Sequence, residues 1–153
     1  PEDPRKPGGS FVTALIVISV AVALLTAIAY KKAPAWVMAV LAGLGFSLVA
    51  VGTRAAETDG SILDAILHPV AIVVVLGGAV GVVGNIRALE RGSVAIAASI
   101  VTLVEVVLPS IVGVTMLGDQ VRPGWGVALV LAITVALGGC ALLAASPAGK
   151  ATA

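Results

Sequence analysis

The sequence is poor in charged residues, aromatic residues, cysteine and histidine. Charged residues make up 11% and aromatic residues 3% of the 153 positions, whereas an average soluble domain has about 25% charged residues. The single cysteine, Cys140, excludes a disulfide framework or a Cys-rich metal site within the chain. We interpret Cys140 as a small buried hydrophobic residue. The composition therefore argues against an ordinary soluble domain.

Motifs of the common enzyme classes are missing as well. The sequence has no H-E-x-x-H pair and no phosphate-binding Gly-Lys loop. His68, the only histidine, precedes Pro69 at the edge of an apolar run, where an interfacial hydrogen bond is a commoner role than metal ligation. A Ser/His/Asp arrangement is not recognisable. We predict that the protein is not an enzyme and needs no cofactor, and the sequence identifies no metal site.

Long apolar runs are what the sequence does contain. Hydrophobic residues make up 59% of the chain, and its mean hydropathy is +1.16. A bilayer core of about 30 Å needs about 20 mainly apolar residues per helix. Five runs qualify, at positions 11–30, 35–53, 69–86, 93–117 and 125–145. We predict an all-α, multi-pass integral membrane protein with five spans in the plasma (inner) membrane.

The segments outside these runs are polar or rich in proline. Residues 1–10 contain three prolines and no initiator Met, which predicts a disordered linker and a fragment or processed chain. Residues 146–153 are expected to be a disordered tail. Run 11–30 is longer than a signal-peptide core and "KKAPAW" lacks a cleavage site, so we expect a spanning helix. The stretch "SILDAILHP" predicts a short interfacial helix.

Basic residues lie singly or in pairs at the ends of the runs. This distribution gives no basic face, so nucleic acid is not an expected partner. Five spans place four basic residues at one end of the bundle (Arg5, Lys6, Arg54, Arg122) and five at the other (Lys31, Lys32, Arg87, Arg91, Lys150). The first end also carries nearly all the acidic residues. We expect the second end to be cytoplasmic.

The third run is rich in glycine. Gly77 and Gly81 form a G-x-x-x-G motif, with Gly84 one turn further on. Small residues at this spacing allow the backbones of two membrane helices to approach closely. Tight helix packing is the first interpretation, and a path lined by exposed backbone carbonyls is the alternative. Asn85 follows directly and offers a neutral oxygen.

The fourth run contains one carboxylate near its centre. Glu105 is the thirteenth of the 25 positions from 93 to 117, which places it near the membrane midplane. An acid at a helix centre costs about 2.5 to 3.5 kcal/mol to insert, and such residues normally face a bundle interior or a water-filled cavity. We therefore select Glu105 as the candidate binding residue.

Residues around Glu105 form a polar notch at helical spacing. Pro109 lacks an N–H and leaves the backbone carbonyl of Glu105 without its usual partner. Thr102 lies on the same face and offers a hydroxyl oxygen. A desolvated Glu105 is suited to exchanging a proton for a cation near neutral pH. The alternative is a permanently protonated side chain that hydrogen-bonds a neighbouring helix.

Short motifs in the second half resemble the drug/metabolite transporter (EamA-like) superfamily. "ALERG" matches the family's AL-x-x-G turn, Glu105 stands where the Glu of a Glu-Pro pair is expected, and "LGD" at 117–119 replaces "LGE". Val106 occupies the expected proline position. The stretch "WVMAVLAGLGFSLVAVGTRAA" is similar to the opening helix of the repeat, and the acidic linker is most similar to the NIPA-like branch of magnesium transporters.

The resemblance implies a four-helix transporter half-repeat at 35–145, preceded by one helix at 11–30. Such transporters consist of two inverted repeats that line a central path. The chain then needs a missing N-terminal half, a second subunit or a homodimer partner, and its substrate is a small cation or metabolite. Magnesium prefers several oxygen ligands, so one carboxylate suits a proton-coupled or monovalent organic cation equally well. The alternative function is a non-transporting membrane subunit that scaffolds a larger complex.

Overall fold

Five long helices make up nearly all of the computed structural model, which describes residues 8–56, 68–118 and 123–145. The helices are α1 (Gly9–Ala29), α2 (Ala35–Ala55), α3 (Val70–Arg91), α4 (Val94–Val112) and α5 (Gly126–Ala145). A π-helical turn, Gly113–Leu117, continues α4. All five are long and apolar enough to cross a membrane. The predicted fold class, an all-α bundle with five spans, is confirmed.

The helices begin where the sequence supplies helix-starting residues. Pro34 and Pro69 immediately precede α2 and α3, and proline is tolerated there because the first N–H groups of a helix have no partner within it. The predicted third run stops at residue 86, but α3 continues to Arg91. The extra turn carries Arg87 and Arg91, and both side chains find partners at the membrane edge, as described below. The predicted fourth span changes from α-helix to π-helix at Gly113.

Helix α2 is the centre of the bundle. It packs against α3 on one side and α4 on another, and α1 lies against α2 and α3. The core is made of small and β-branched side chains from α2 and α3, with fully buried Met38, Val70 and Val73. Helix α1 contributes a stripe at helical spacing, Leu15, Ser19, Val22 and Thr26.

Helix α5 lies at the edge of the bundle and packs mainly against α4. None of the residues in its membrane-spanning stretch is buried. Residues 1–7 of the linker predicted at 1–10, residues 61–67 of the interfacial helix predicted at 61–69, Asp119, Arg122 and the tail at 146–153 lie outside the described residues. Residues 9 and 10 of that linker belong to α1. Hence the described part of the chain has a dense side, formed by α1 to α4, and an open side at α4 and α5.

Candidate functional site

Glycines bring α2 and α3 into backbone contact. A Cβ on Gly45 would lie 2.5 Å from the backbone nitrogen of Gly81 and 2.6 Å from the carbonyl oxygen of Gly77. Gly81 also faces the ring of Phe46, and Gly84 faces Ala42. The structure thus places Gly77, Gly81 and Gly84 against α2, in a crossing so close that no side chain fits between the two backbones.

Helix α4 is held against the opposite side of α2 by a second close contact. A Cβ on Gly43 would lie 2.6 Å from the Cβ of Val104. The Ser47 hydroxyl lies 2.8 Å from the carbonyl oxygen of Gly43 and 3.1 Å from that of Val104. Ser47 therefore links the two helices through the residue next to Glu105, which fixes the rotation of α4 at the membrane midplane.

Glu105 lies on the outer surface of the five helices. It is the twelfth residue of the 24-residue span Val94–Leu117, so its predicted depth near the midplane agrees with the helix bounds. Its side chain is exposed. No described residue forms a hydrogen bond or an ion pair with it. In a lipid environment, a carboxylate in this position needs a partner from outside these helices or must bind a proton.

The exposure of Glu105 follows from which sides of α4 are occupied. Val101 and Val104 lie against Gly43 of α2, and Ala97 and Val101 belong to the buried core. The Ser99 hydroxyl donates a hydrogen bond of 3.0 Å to the carbonyl oxygen of Cys140 on α5, on a different side of α4. Each residue turns about 100° around a helix, and Glu105 falls between these two contact sides. The expectation of a carboxylate inside this bundle thus becomes a carboxylate at its surface.

Thr102 and Pro109 are neighbours of Glu105 on the same helix but adjoin different spaces. Thr102 is exposed and lines a groove of about 220 Å³ between α4 and α5, together with Val106, Ser110 and residues of α5 that include Cys140. Pro109 is half-buried and lines a separate space of about 280 Å³ between the ends of α2 and α4, which also contains Arg54. Glu105 itself lies at the surface between them.

The backbone around Pro109 is irregular. Pro109 has no N–H to give to the carbonyl oxygen of Glu105. Beyond it, the Gly113 N–H is shared between the carbonyls of Pro109 and Ser110, and the π-helical turn ends at Gly118, whose φ of 73° is left-handed. Single π-helical turns inside helices are frequent at functional sites. Pro109 lies about one turn from the carboxylate, and the π-helical turn begins about two turns from it.

The structure does not bring Asn85 to Glu105. Asn85 lies six residues before the end of α3, about 9 Å along the helix from the α3–α4 turn. Glu105 lies about 18 Å from the same turn along α4, so the two residues are at different depths. Asn85 is half-buried. Within residues 8–56, 68–118 and 123–145, no three His, Cys, Asp or Glu side chains come together to hold a metal ion. The candidate site is therefore Glu105 with Thr102 and the Pro109 backbone.

Several polar contacts were not anticipated from the sequence. They include the hydroxyl bonds of Ser47 and Ser99 across helices and the contacts of Arg87 and Arg91 at the membrane edge. His68 accepts a hydrogen bond of 3.3 Å from the Val70 N–H through Nδ1, at the start of α3. The bond is local to the start of α3, and the interfacial position of His68 stays a prediction. The place of Ser47 in an apolar run that also contains Gly43 and Gly45 was the one available signal for it.

No family model, curated protein or solved structure matches the chain.

Proposed function

We propose that the chain is half of a membrane transporter of the drug/metabolite type, with Glu105 as the carboxylate that binds the substrate or the coupled proton. The observation that carries the proposal is a carboxylate at mid-span that has no partner among the described helices. In an assembled transporter of two inverted repeats, the polar face of each half lines the central path. An exposed carboxylate on one half is what such an assembly needs.

The partner in this proposal covers the open side of the bundle. It is the missing N-terminal half, a second subunit or a second copy, and it supplies the other wall of the path. Thr102 adds a hydroxyl oxygen beside Glu105. The polar face of α4 then faces neither lipid nor α2, which removes the cost of placing an acid in the membrane. The plasma (inner) membrane is the location that we propose.

The substrate that fits best is a small cation exchanged for a proton. One carboxylate with neutral oxygens balances one positive charge. Magnesium keeps near-octahedral oxygen ligands and loses water reluctantly, so the NIPA-like substrate would need further ligands from the partner. A monovalent organic cation needs only Glu105 and an apolar surface, and the groove beside Thr102 provides that surface.

A scaffolding membrane subunit is the second candidate. The observation that favours it is the same exposed carboxylate, which would then donate or accept a single hydrogen bond across a subunit interface. The glycine contacts between α2 and α3 would serve such a rigid subunit equally well. The two candidates differ in whether the charge of Glu105 is needed.

Transport by the assembled protein in liposomes separates them. Uptake of Mg²⁺ and of small organic cations is measured across a pH series for wild type, Glu105→Gln and Glu90→Gln. Glu90 undergoes the same chemical change at the end of α3. We expect Glu105→Gln to slow transport by at least about tenfold, because an interaction with a charged group contributes roughly 1.5 to 3 kcal/mol. Glu90→Gln should stay within about twofold of wild type.

Folding is checked by helical content and by elution of each variant as an assembled particle. Unchanged transport by Glu105→Gln would contradict the proposal and leave the residue as a hydrogen bond between helices. A wild-type assembly that moves none of these cations would favour the scaffold.

A further inference from the structure

One end of the bundle carries a cluster of basic residues held by two adjoining turns. The turn between α1 and α2 supplies Lys31 and Lys32, and the end of α3 supplies Arg87 and Arg91. We call these four residues the basic cluster. The only acidic residue among the described part of this end is Glu90. The cluster plays no part in the transport proposal.

Arg91 joins the two turns. Its guanidinium donates a hydrogen bond of 2.7 Å to the carbonyl oxygen of Ala33 and another of 2.9 Å to that of Lys31. Gly92 adds a close approach, since a Cβ there would lie 2.5 Å from the Cβ of Ala35. The backbone that carries the two lysines is therefore fixed in position relative to α3.

Arg87 is held in the same region and keeps unused hydrogen-bonding capacity. Its guanidinium lies 4.2 Å from the centre of the Tyr30 ring and bonds Glu90 at 2.5 Å. Its Nε is buried without a partner, as is the hydroxyl of Ser93 at the start of α4. Arg87 belongs to the last turns of α3, and Ser93 lies between α3 and α4.

The two lysines are exposed, and neither forms an ion pair within the described part of the chain. Lys31 and Lys32 both lie at the surface, and the one ion pair at this end in the described residues joins Arg87 to Glu90. Over the whole sequence, the predicted topology gives this end five basic residues and one acidic residue. The opposite end has four basic and six acidic residues. The charge asymmetry across the membrane is therefore strong.

We infer that the basic cluster is a binding surface for the phosphate groups of anionic phospholipids in the leaflet that surrounds this end. Lys31 and Lys32 make the contacts, while Arg91 and Arg87 hold the turns that present them. The occupant follows from charge complementarity and depth, because the turns lie where a spanning helix leaves the membrane. Anionic lipids of the cytoplasmic leaflet attract basic residues that lie next to a span. The surface would serve a transporter or a scaffold equally.

The two tryptophans of the chain allow a direct test, because they lie at opposite ends. Trp36 is at the start of α2 beside the basic cluster, and Trp125 is next to α5 at the other end, and each is 59% exposed. Trp125→Phe leaves Trp36 as the only reporter, and Trp36→Phe leaves Trp125. The protein is reconstituted in phosphatidylcholine vesicles that contain one brominated lipid, either phosphatidylglycerol or phosphatidylcholine. The brominated acyl chains quench the fluorescence of a tryptophan that lies close to them.

We expect brominated phosphatidylglycerol to bind near Trp36 roughly fivefold more strongly than brominated phosphatidylcholine. The preference should fall with added salt. The ratio of phosphatidylglycerol to phosphatidylcholine binding near Trp36 should drop to about one in the double variant Lys31→Gln/Lys32→Gln. It should persist in Lys31→Arg/Lys32→Arg, which keeps both positive charges. At Trp125 the two lipids should quench equally.

Equal quenching of Trp36 by both lipids in Trp125→Phe with Lys31 and Lys32 intact would overturn the inference. So would an equal preference at both tryptophans, or a preference that survives the double Gln variant. Both double variants change exposed side chains and leave the Lys31 carbonyl free to accept its bond from Arg91, and helical content verifies that each is folded.

Discussion

Some polar side chains in the described spans have partners on another helix or turn, and Glu105 does not. Ser47, Ser99 and Arg91 have partners on another helix or turn, so each contributes to holding the bundle together. Glu105 has no such partner, and lipid offers it none. Because partnered polar groups are the rule in the membrane interior, the unpartnered carboxylate is the residue that calls for an interaction beyond these helices. This contrast is the basis for the proposed site.

Arg91 provides a test of how a single side chain orders the basic end. Arg91→Lys keeps the positive charge but loses the two-pronged donor that reaches both loop carbonyls. The backbone N–H groups of Lys32 and Ala33 bond the carbonyl oxygen of Ala29 at 3.2 and 2.9 Å. We expect these amides to exchange hydrogen severalfold faster in the variant, as measured by mass spectrometry.

Lys32→Arg is the matched control, because it also exchanges one basic side chain for another in the same region but alters no described hydrogen bond. Unchanged exchange at residues 32 and 33 in Arg91→Lys would show that the turn is ordered without the guanidinium.

At the level of helices, the contact between α2 and α3 determines the arrangement. Both helices are apolar on most of their surface, so burial of apolar residues does not choose between possible partners in lipid. The glycines determine which helices pair, because the backbone of Gly45 contacts the backbones of Gly77 and Gly81. Helix α4 then takes its position from Gly43 and Ser47, and this position turns Glu105 outward.

Gly45→Ala should destabilise the bundle. The added Cβ would meet backbone atoms of Gly77 and Gly81, which cannot move without separating the helices, and overpacking of this kind costs roughly 1 to 3 kcal/mol. Gly139→Ala is the control, since nothing lies within 4 Å of a Cβ there. The free energy of unfolding, measured in mixed micelles, should fall for the first variant and stay equal or rise for the second. Equal losses in both would refute the role of the crossing.

The number of spans and most of their limits could be predicted from the sequence, because length and apolarity depend on local composition; the end of α3, predicted at residue 86, lies at Arg91. The midspan depth of Glu105 could be predicted for the same reason. The direction of its side chain could not, since it depends on which sides of α4 contact α2 and α5. Those contacts come from Gly43 and Cys140, both more than 30 residues away along the chain. Asn85 was grouped with Glu105 for its chemistry, but its depth separates the two.

The whole molecule has one dense and one open side. Helices α1, α2 and α3 share the core, whereas α5 has no buried residue in its span. Glu105 and Thr102 are exposed next to the groove between α4 and α5. The proposed half-transporter accounts for this asymmetry, because its open side is where a partner completes the path. In this proposal, Glu105 meets the substrate in the assembled protein.

Reaction of Glu105 with a lipid-soluble carbodiimide tests that claim most directly. Such reagents modify protonated carboxyl groups within the membrane, and peptide mass spectrometry identifies the modified residue. We expect labelling at Glu105 in the assembled protein, and we expect a transported cation to slow it severalfold by occupying the carboxylate. Labelling of Glu105 at an unchanged rate with every cation that the assembly transports would contradict the account.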